Sequence, residues 1–190
     1  MTHSTTNTFK MKREILNFVE KISAKASRPL KKFLADIAYG MLASGSCLLT
    51  KVAHELCEDS KKINVVDRLS RHLAEDDFDL VMNNYLQLIC KMVSDHPVIH
   101  IDDSDVVKPD GYKFESLGWV RDGSKSTKEK TVISKGYHVT EACVLTKTGH
   151  PVSIFSELHS SLEKSFTSIN HVTFAAMERG RDLFSKATYI

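Results

Sequence analysis

Val98-Ile99-His100-Ile101-Asp102-Asp103-Ser104-Asp105 is the stretch on which the reading of the fold turns. Up to Pro97 the apolar spacing is helical; here a short β-branched run breaks off abruptly at a group of acids. It reads as a strand ending in carboxylates. Alternation along that strand puts Ile99, Ile101 and Asp103 on one face and His100 and Asp102 on the other. A carboxylate at the end of a buried strand is well placed to hold a divalent cation, so Asp102, Asp103 and Asp105 are the candidate ligands. The plain alternative is a polar strand end closed by an Asx turn.

Upstream, Ile15, Phe18, Val19 and Ile22 form one helical stripe, and Leu30, Phe33, Leu34, Ile37, Ala38, Met41 and Leu42 form another. Ser27 stands at the N-cap position of the second helix, Pro29 in its first turn and Gly45 at its end. A third helix is expected over 48–57 and a fourth over 65–73 with Asn64 as its cap. A fifth opens at the acidic pair Asp76 and Asp77. Residues 1–9 read as a flexible polar tail and 10–96 as an all-helical region.

Downstream, the Gly- and Lys-bearing segment 108–135 leads to two strand-like runs, 137–145 and 152–158, joined through residues 146–151 as a hairpin. Ser168 or a neighbour is placed to cap a helix running to about Phe184, and Ala187-Thr188-Tyr189-Ile190 reads as a strand just beginning. The class is therefore α+β, an all-helical region followed by β-β-β-α-β over 97–190. The chain reads as cut short within that second region, with a homodimer or looser self-association expected from uncovered positions such as Val144, Ile154 and Phe155.

Three segments carry a family resemblance. They are Ile101-Asp102-Asp103-Ser104-Asp105-Val106-Val107-Lys108-Pro109 with Gly111, Phe114-Glu115-Ser116-Leu117-Gly118-Trp119-Val120-Arg121-Asp122-Gly123-Ser124, and Lys135-Gly136-Tyr137-His138-Val139. In this order they resemble the catalytic-domain opening of bacterial insertion-sequence DDE transposases, over roughly Val98 to Leu158. Pro29 to Leu34 and Arg68 to Leu73 resemble the family's N-terminal helices more loosely. The resemblance implies a ribonuclease-H-like domain in which three acids meet. It puts the first of them, catalytic and metal-ligating, on Asp103, with Asp102 the lesser choice.

The family's second aspartate follows the fourth strand and its glutamate comes much later; neither lies within these residues. The implied activity is metal-dependent DNA strand cleavage and strand transfer, with Mg²⁺ or Mn²⁺ held only in the complete set of acids. The expectation is thus an N-terminal fragment of a transposase without catalysis of its own; a non-catalytic DNA-binding or interaction remnant is the alternative. The implied partners are transposon-end and target DNA.

Charge and composition bound these readings. The chain has 190 residues, 26 Lys and Arg against 24 Asp and Glu, and 42% hydrophobic residues, an ordinary globular balance rather than that of a DNA-coating protein. Basic residues are concentrated locally: Lys10 to Lys32 carries eight against two acids, and Arg121 to Lys135 carries five against two. From these and from the third and fourth helices, read as a helix-turn-helix or as a plain bundle, the DNA-contact candidates are Lys31, Lys32, Arg68, Arg71, Arg121, Lys125, Lys135 and Tyr137. Trp119 is either a base-stacking residue or a core anchor of the 121–135 loop.

Other chemistries lack their signatures. No His or Cys spacing suits zinc, no Gly-rich phosphate loop is present, and Ser104, His138 and Asp103 have no nucleophile-elbow motif around them. Cys47, Cys57, Cys90 and Cys143 read as reduced core residues. With no apolar run of spanning length and no signal-peptide core, a cytoplasmic protein away from membranes is expected.

Overall fold

A computed structural model describes residues 2–190, with side chains from residue 9 onward. The chain clusters into two compact units, Met1–Leu88 and Ile89–Ile190. The division lies inside a helix rather than at Pro97.

The first unit is helical. Helix α1 spans Thr2–Ile22, so the backbone of residues 2–9, expected as a tail, continues the helix; Met1 lies outside the described residues. Ile15, Val19 and Ile22 are buried, while Phe18 is not. Helix α2, Arg28–Ser44, starts and stops as its sequence signals predict. Ser27 accepts from Leu30 N–H, and Gly45 closes the helix at φ 60°, a left-handed conformation that costs glycine little. Helix α3 spans Leu49–Glu55 and α4 spans Lys62–Glu75. The N-cap of α4 is Lys61, so Asn64 sits within the helix and caps nothing.

Helix α5, Asp79–Met92, opens where Asp77 Oδ1 accepts from Asp79 N–H at 2.8 Å. Asn84 donates to Ile22 O and Ala24 O, which ties α5 to the end of α1. The core of this unit gathers Ile22, Leu30, Phe33, Val52, Ala53, Val65, Leu69 and Val81.

The second unit is a five-stranded mixed sheet with one helix. Its strands are β1 (Val98–Val107), β2 (Gly118–Arg121), β3 (Ile133–Leu145), β4 (Pro151–His159) and β5 (Thr188–Tyr189); α6 (Ile169–Leu183) precedes β5. The strand β1 does not end at the acids. It runs on through Asp102, Asp103 and Asp105 because β3 is long enough to pair with it from Ile99 opposite Val144 to Val107 opposite Gly136. A ladder partner outweighs the low strand preference of Asp and Ser.

β3 is central. Gly136 is opposite both Val107 of β1 and Gly118 of β2, and Val144 opposite both Ile99 of β1 and Val152 of β4, so β2 and β4 follow one another along the edge away from β1. β2 was not foreseen, being only Gly118-Trp119-Val120-Arg121. The β3–β4 hairpin turns through Gly149 at φ 81°. After α6, capped by Ser168 as expected, β5 pairs parallel to β1 on its other edge.

Helix α6 packs against β1, β3 and β4. Val144 and Ile154 are consequently buried and Phe155 half-buried, which corrects the expectation that these positions are bare. Cys47 and Cys57 are exposed rather than core, and Cys90 and Cys143 are half-buried. No single helix among the described residues is long and apolar enough to cross a membrane.

Candidate functional site

Residues opposite one another in a ladder share a face of the sheet. The register therefore stacks four rows on one face: Ile99 with Val144, Ile101 with Ala142, Asp103 with Thr140, and Asp105 with His138. β4 extends the two polar rows by Glu157 beside Thr140 and His159 beside His138. Two apolar rows thus give way to two polar ones along a single surface.

Asp103 is exposed, whereas Thr140 is fully buried and His159 is 2% exposed. The Thr140 hydroxyl donates to Asp103 Oδ1 at 2.5 Å and lies 2.9 Å from His159 Nε2. The His159 ring is stacked between His138, at 5.7 Å, and Phe166, at 5.5 Å and 10° from parallel. His138 Nδ1 meets Asp105 Oδ1 at 2.8 Å, an orienting contact that fixes this ring. Sequence reading identified Asp103 but not Thr140, His159 or the Asp105–His138 pair. Nothing local marks them, because they meet only through the register of three strands.

The alternation expected for β1 holds: Asp102 is opposite Glu141 and Ser104 opposite Val139, on the other face from Asp103. Ser104, His138 and Asp103 consequently do not form a triad. Glu157, the acid in the same row as Asp103, is two strands away, about 10 Å between backbones. A hard divalent cation takes about six oxygen ligands, while Asp103 has the Thr140 hydroxyl on one oxygen and Asp105 is engaged by His138. Among the described residues no three His, Cys, Asp or Glu side chains form a group that could hold a metal ion. The residues present do not by themselves fit Mg²⁺ or Mn²⁺.

The basic candidates divide by what they touch. Lys32 binds Asp36 at 2.6 Å and Glu58 at 2.9 Å, and Arg68 binds the same two carboxylates at 2.8 and 2.7 Å. This four-residue network links α2, the α3–α4 connection and α4, so both cations are already paired. Burial lowers the Lys32 pKa, but the hydrogen bonds to Asp36 and Glu58 outweigh it and hold the ammonium above its usual range. Arg71 is exposed and Lys31 half-buried. Elsewhere on α3 and α4, His72 is bound to Asp76 at 2.6 Å and stacked on Phe33, while Lys51 and His54 are exposed.

Around β2 the loop 121–135 is a bonded hairpin loop, with Ser126 Oγ accepting from Val132 N–H and Thr127 Oγ1 from Lys130 N–H. Arg121 is exposed, Lys125 pairs with Asp122 at 3.2 Å, and Tyr137 donates to Glu115 O. Lys135 Nζ lies 4.2 Å above the Trp119 ring. Trp119 is 61% exposed, which removes the core-anchor alternative. Compared with known proteins, the chain matches no family model and no curated protein.

Proposed function

We propose that this chain carries the first acid and part of the DNA-contacting surface of a DDE-type DNA transposase built on a ribonuclease-H-like sheet. The observation that carries the reading is the path of the second unit. An antiparallel β4-β3-β1 meander with a short added strand is followed by α6, and β5 then lies parallel to β1, the strand that bears Asp103. Ile190 N–H donates to Ile99 O and Ile101 N–H to Ile190 O, so β5 runs along β1 toward the acids. The resemblance puts a second aspartate after this strand, where a carboxylate would arrive beside Asp103. That accounts for Asp103 standing exposed on the sheet face without a cation paired to it among the described residues.

In this reading Asp103 contributes a fixed carboxylate to a set completed by other residues, and the exposed Arg71, Arg121 and Trp119 contact DNA. No chemical step is assigned to the described residues, since they do not form a cation site. That same observation favours a second reading of the 190 residues taken alone, a DNA-binding unit without cleavage.

The deciding experiment is a titration of the chain against a duplex of its own element's terminal repeat and a scrambled duplex across a salt series, followed by incubation with Mg²⁺ or Mn²⁺. Tighter binding to the repeat, without nicking, is expected. Absent binding, or binding equal on both duplexes, overturns the specific DNA reading. Nicking by this chain overturns its description as a non-cleaving unit.

A further inference from the structure

Thr140 and His159 are buried behind an exposed acid, and hydrogen-bond chemistry gives their contacts a direction. An ionised carboxylate only accepts, so the single Thr140 hydroxyl proton goes to Asp103 Oδ1. The 2.9 Å contact to His159 is then an Nε2–H donating to Thr140 Oγ1. A neutral ring with its proton on Nε2 has a bare Nδ1. His159 Nδ1 is the one buried side-chain nitrogen or oxygen among the described residues that has no partner.

The reverse chain would have a protonated Asp103 donating to Thr140 and Thr140 donating to Nε2. The ring proton would then sit on Nδ1 as a buried donor with no acceptor, a rarer state than an unused acceptor. Stacking between His138 and Phe166 holds the ring plane, and the direction within it follows from the carboxylate being an acceptor only. The other ionisable groups of these rows are Asp105, which is spent on His138, and Glu157 on β4.

We propose that Thr140 and His159 are positioning residues for Asp103. The chain His159 to Thr140 to Asp103 holds Oδ1 and confines the side chain to one rotamer, leaving Oδ2 as the oxygen presented to a ligand. The purpose assigned to it rests on the reading of Asp103 as the first acid of the reaction; the positioning itself is a property of the sheet.

The test is nuclear magnetic resonance on the full 190-residue chain, labelled with ¹⁵N and ¹³C and free of DNA. The ¹⁵N shifts of His159 report the tautomer, and three-bond couplings at Asp103 report its χ1 rotamer. The wild type is expected to show the Nε2–H tautomer and a single Asp103 rotamer, and Thr140→Ser to retain both. Thr140→Val, close in volume but without the hydroxyl, is expected to average the Asp103 rotamers and shift His159 toward a tautomer mixture. His159→Phe keeps the stacking and is expected to loosen Asp103 alone.

An Nδ1–H tautomer in the wild type, or a single Asp103 rotamer surviving in Thr140→Val, overturns the proposal. The wild-type tautomer decides even where a variant fails to fold. Because these signals need no DNA, losing them removes the positioning chain and leaves the DNA reading standing. A failed DNA titration with the signals intact removes the transposase reading and leaves a positioned carboxylate.

Discussion

Asp122 shows how one side chain organises a loop. Buried at 2% exposure, it accepts from the Ser124 amide and hydroxyl, the Lys125 amide and Ser134 Oγ. The hydrogen bond from Ser124 is the main cause holding its carboxyl below the ordinary 3.8; burial acts against it and Lys125 with it. A depressed folded pKa contributes stability above the unfolded value, and that contribution is lost as pH falls through the folded one. The wild type is therefore expected to resist urea better than Asp122→Asn near pH 6, with the gap closing as pH falls below about 4. A gap unchanged at low pH would sink the argument. The cysteines give a second expectation: burial pushes the Cys90 and Cys143 thiols up, Glu141 adding to the effect at Cys143, while Cys47 and Cys57 are exposed. Timed alkylation read by mass spectrometry should label Cys47 and Cys57 first.

Among the elements, α6 depends on how closely it approaches the sheet. A Cβ on Gly180 would lie 2.5 Å from Ile99 Cδ1 and 3.1 Å from the Tyr189 ring. Gly180→Ala gains about 1 kcal/mol of helix propensity, but the overpacking costs about 1–3 kcal/mol. A net loss is expected, read as a lower urea midpoint; a midpoint raised by the full propensity gain would show that α6 can shift. In the helical unit, Arg68→Ala leaves Asp36 and Glu58 with Lys32 alone and should cost about 1 kcal/mol, less at high salt. Lys32, whose side chain is 58% exposed, should cost only a few tenths when replaced. These elements were unequally legible. α2 announced itself through Ser27, Pro29 and Gly45, signals that act within one turn. The length of β1 did not, because Asp102 to Asp105 stay extended only while β3 lies alongside.

At the scale of the whole chain, a net charge of +2 gives little general pull toward DNA, so the DNA binding proposed for it rests on local groups. On the proposed DNA reading, removing exposed Arg71 is expected to weaken binding about equally on all duplexes and to reduce the logarithmic salt slope by about one. Lys32→Ala, its cation already held by two carboxylates, should leave that slope nearly unchanged. Equal slope losses for both would mean that the network opens when DNA binds. Net charge and local charge counts were readable from composition. Which cations remain available was not, since Asp36 and Glu58 are distant in sequence from Arg68 and reach it only in the folded unit.

The sequence by itself determined the α+β class, most helix ends, the β3–β4 hairpin and the alternation that puts Asp103 and Asp102 on opposite faces, because caps, turns and periodicity are set by near neighbours. Tertiary structure alone decided that the acids lie within a strand, that α6 covers Val144 and Ile154, and that Thr140 and His159 stand behind Asp103. Those features come from strand register and helix packing, which join residues tens of positions apart and leave no local trace in the chain.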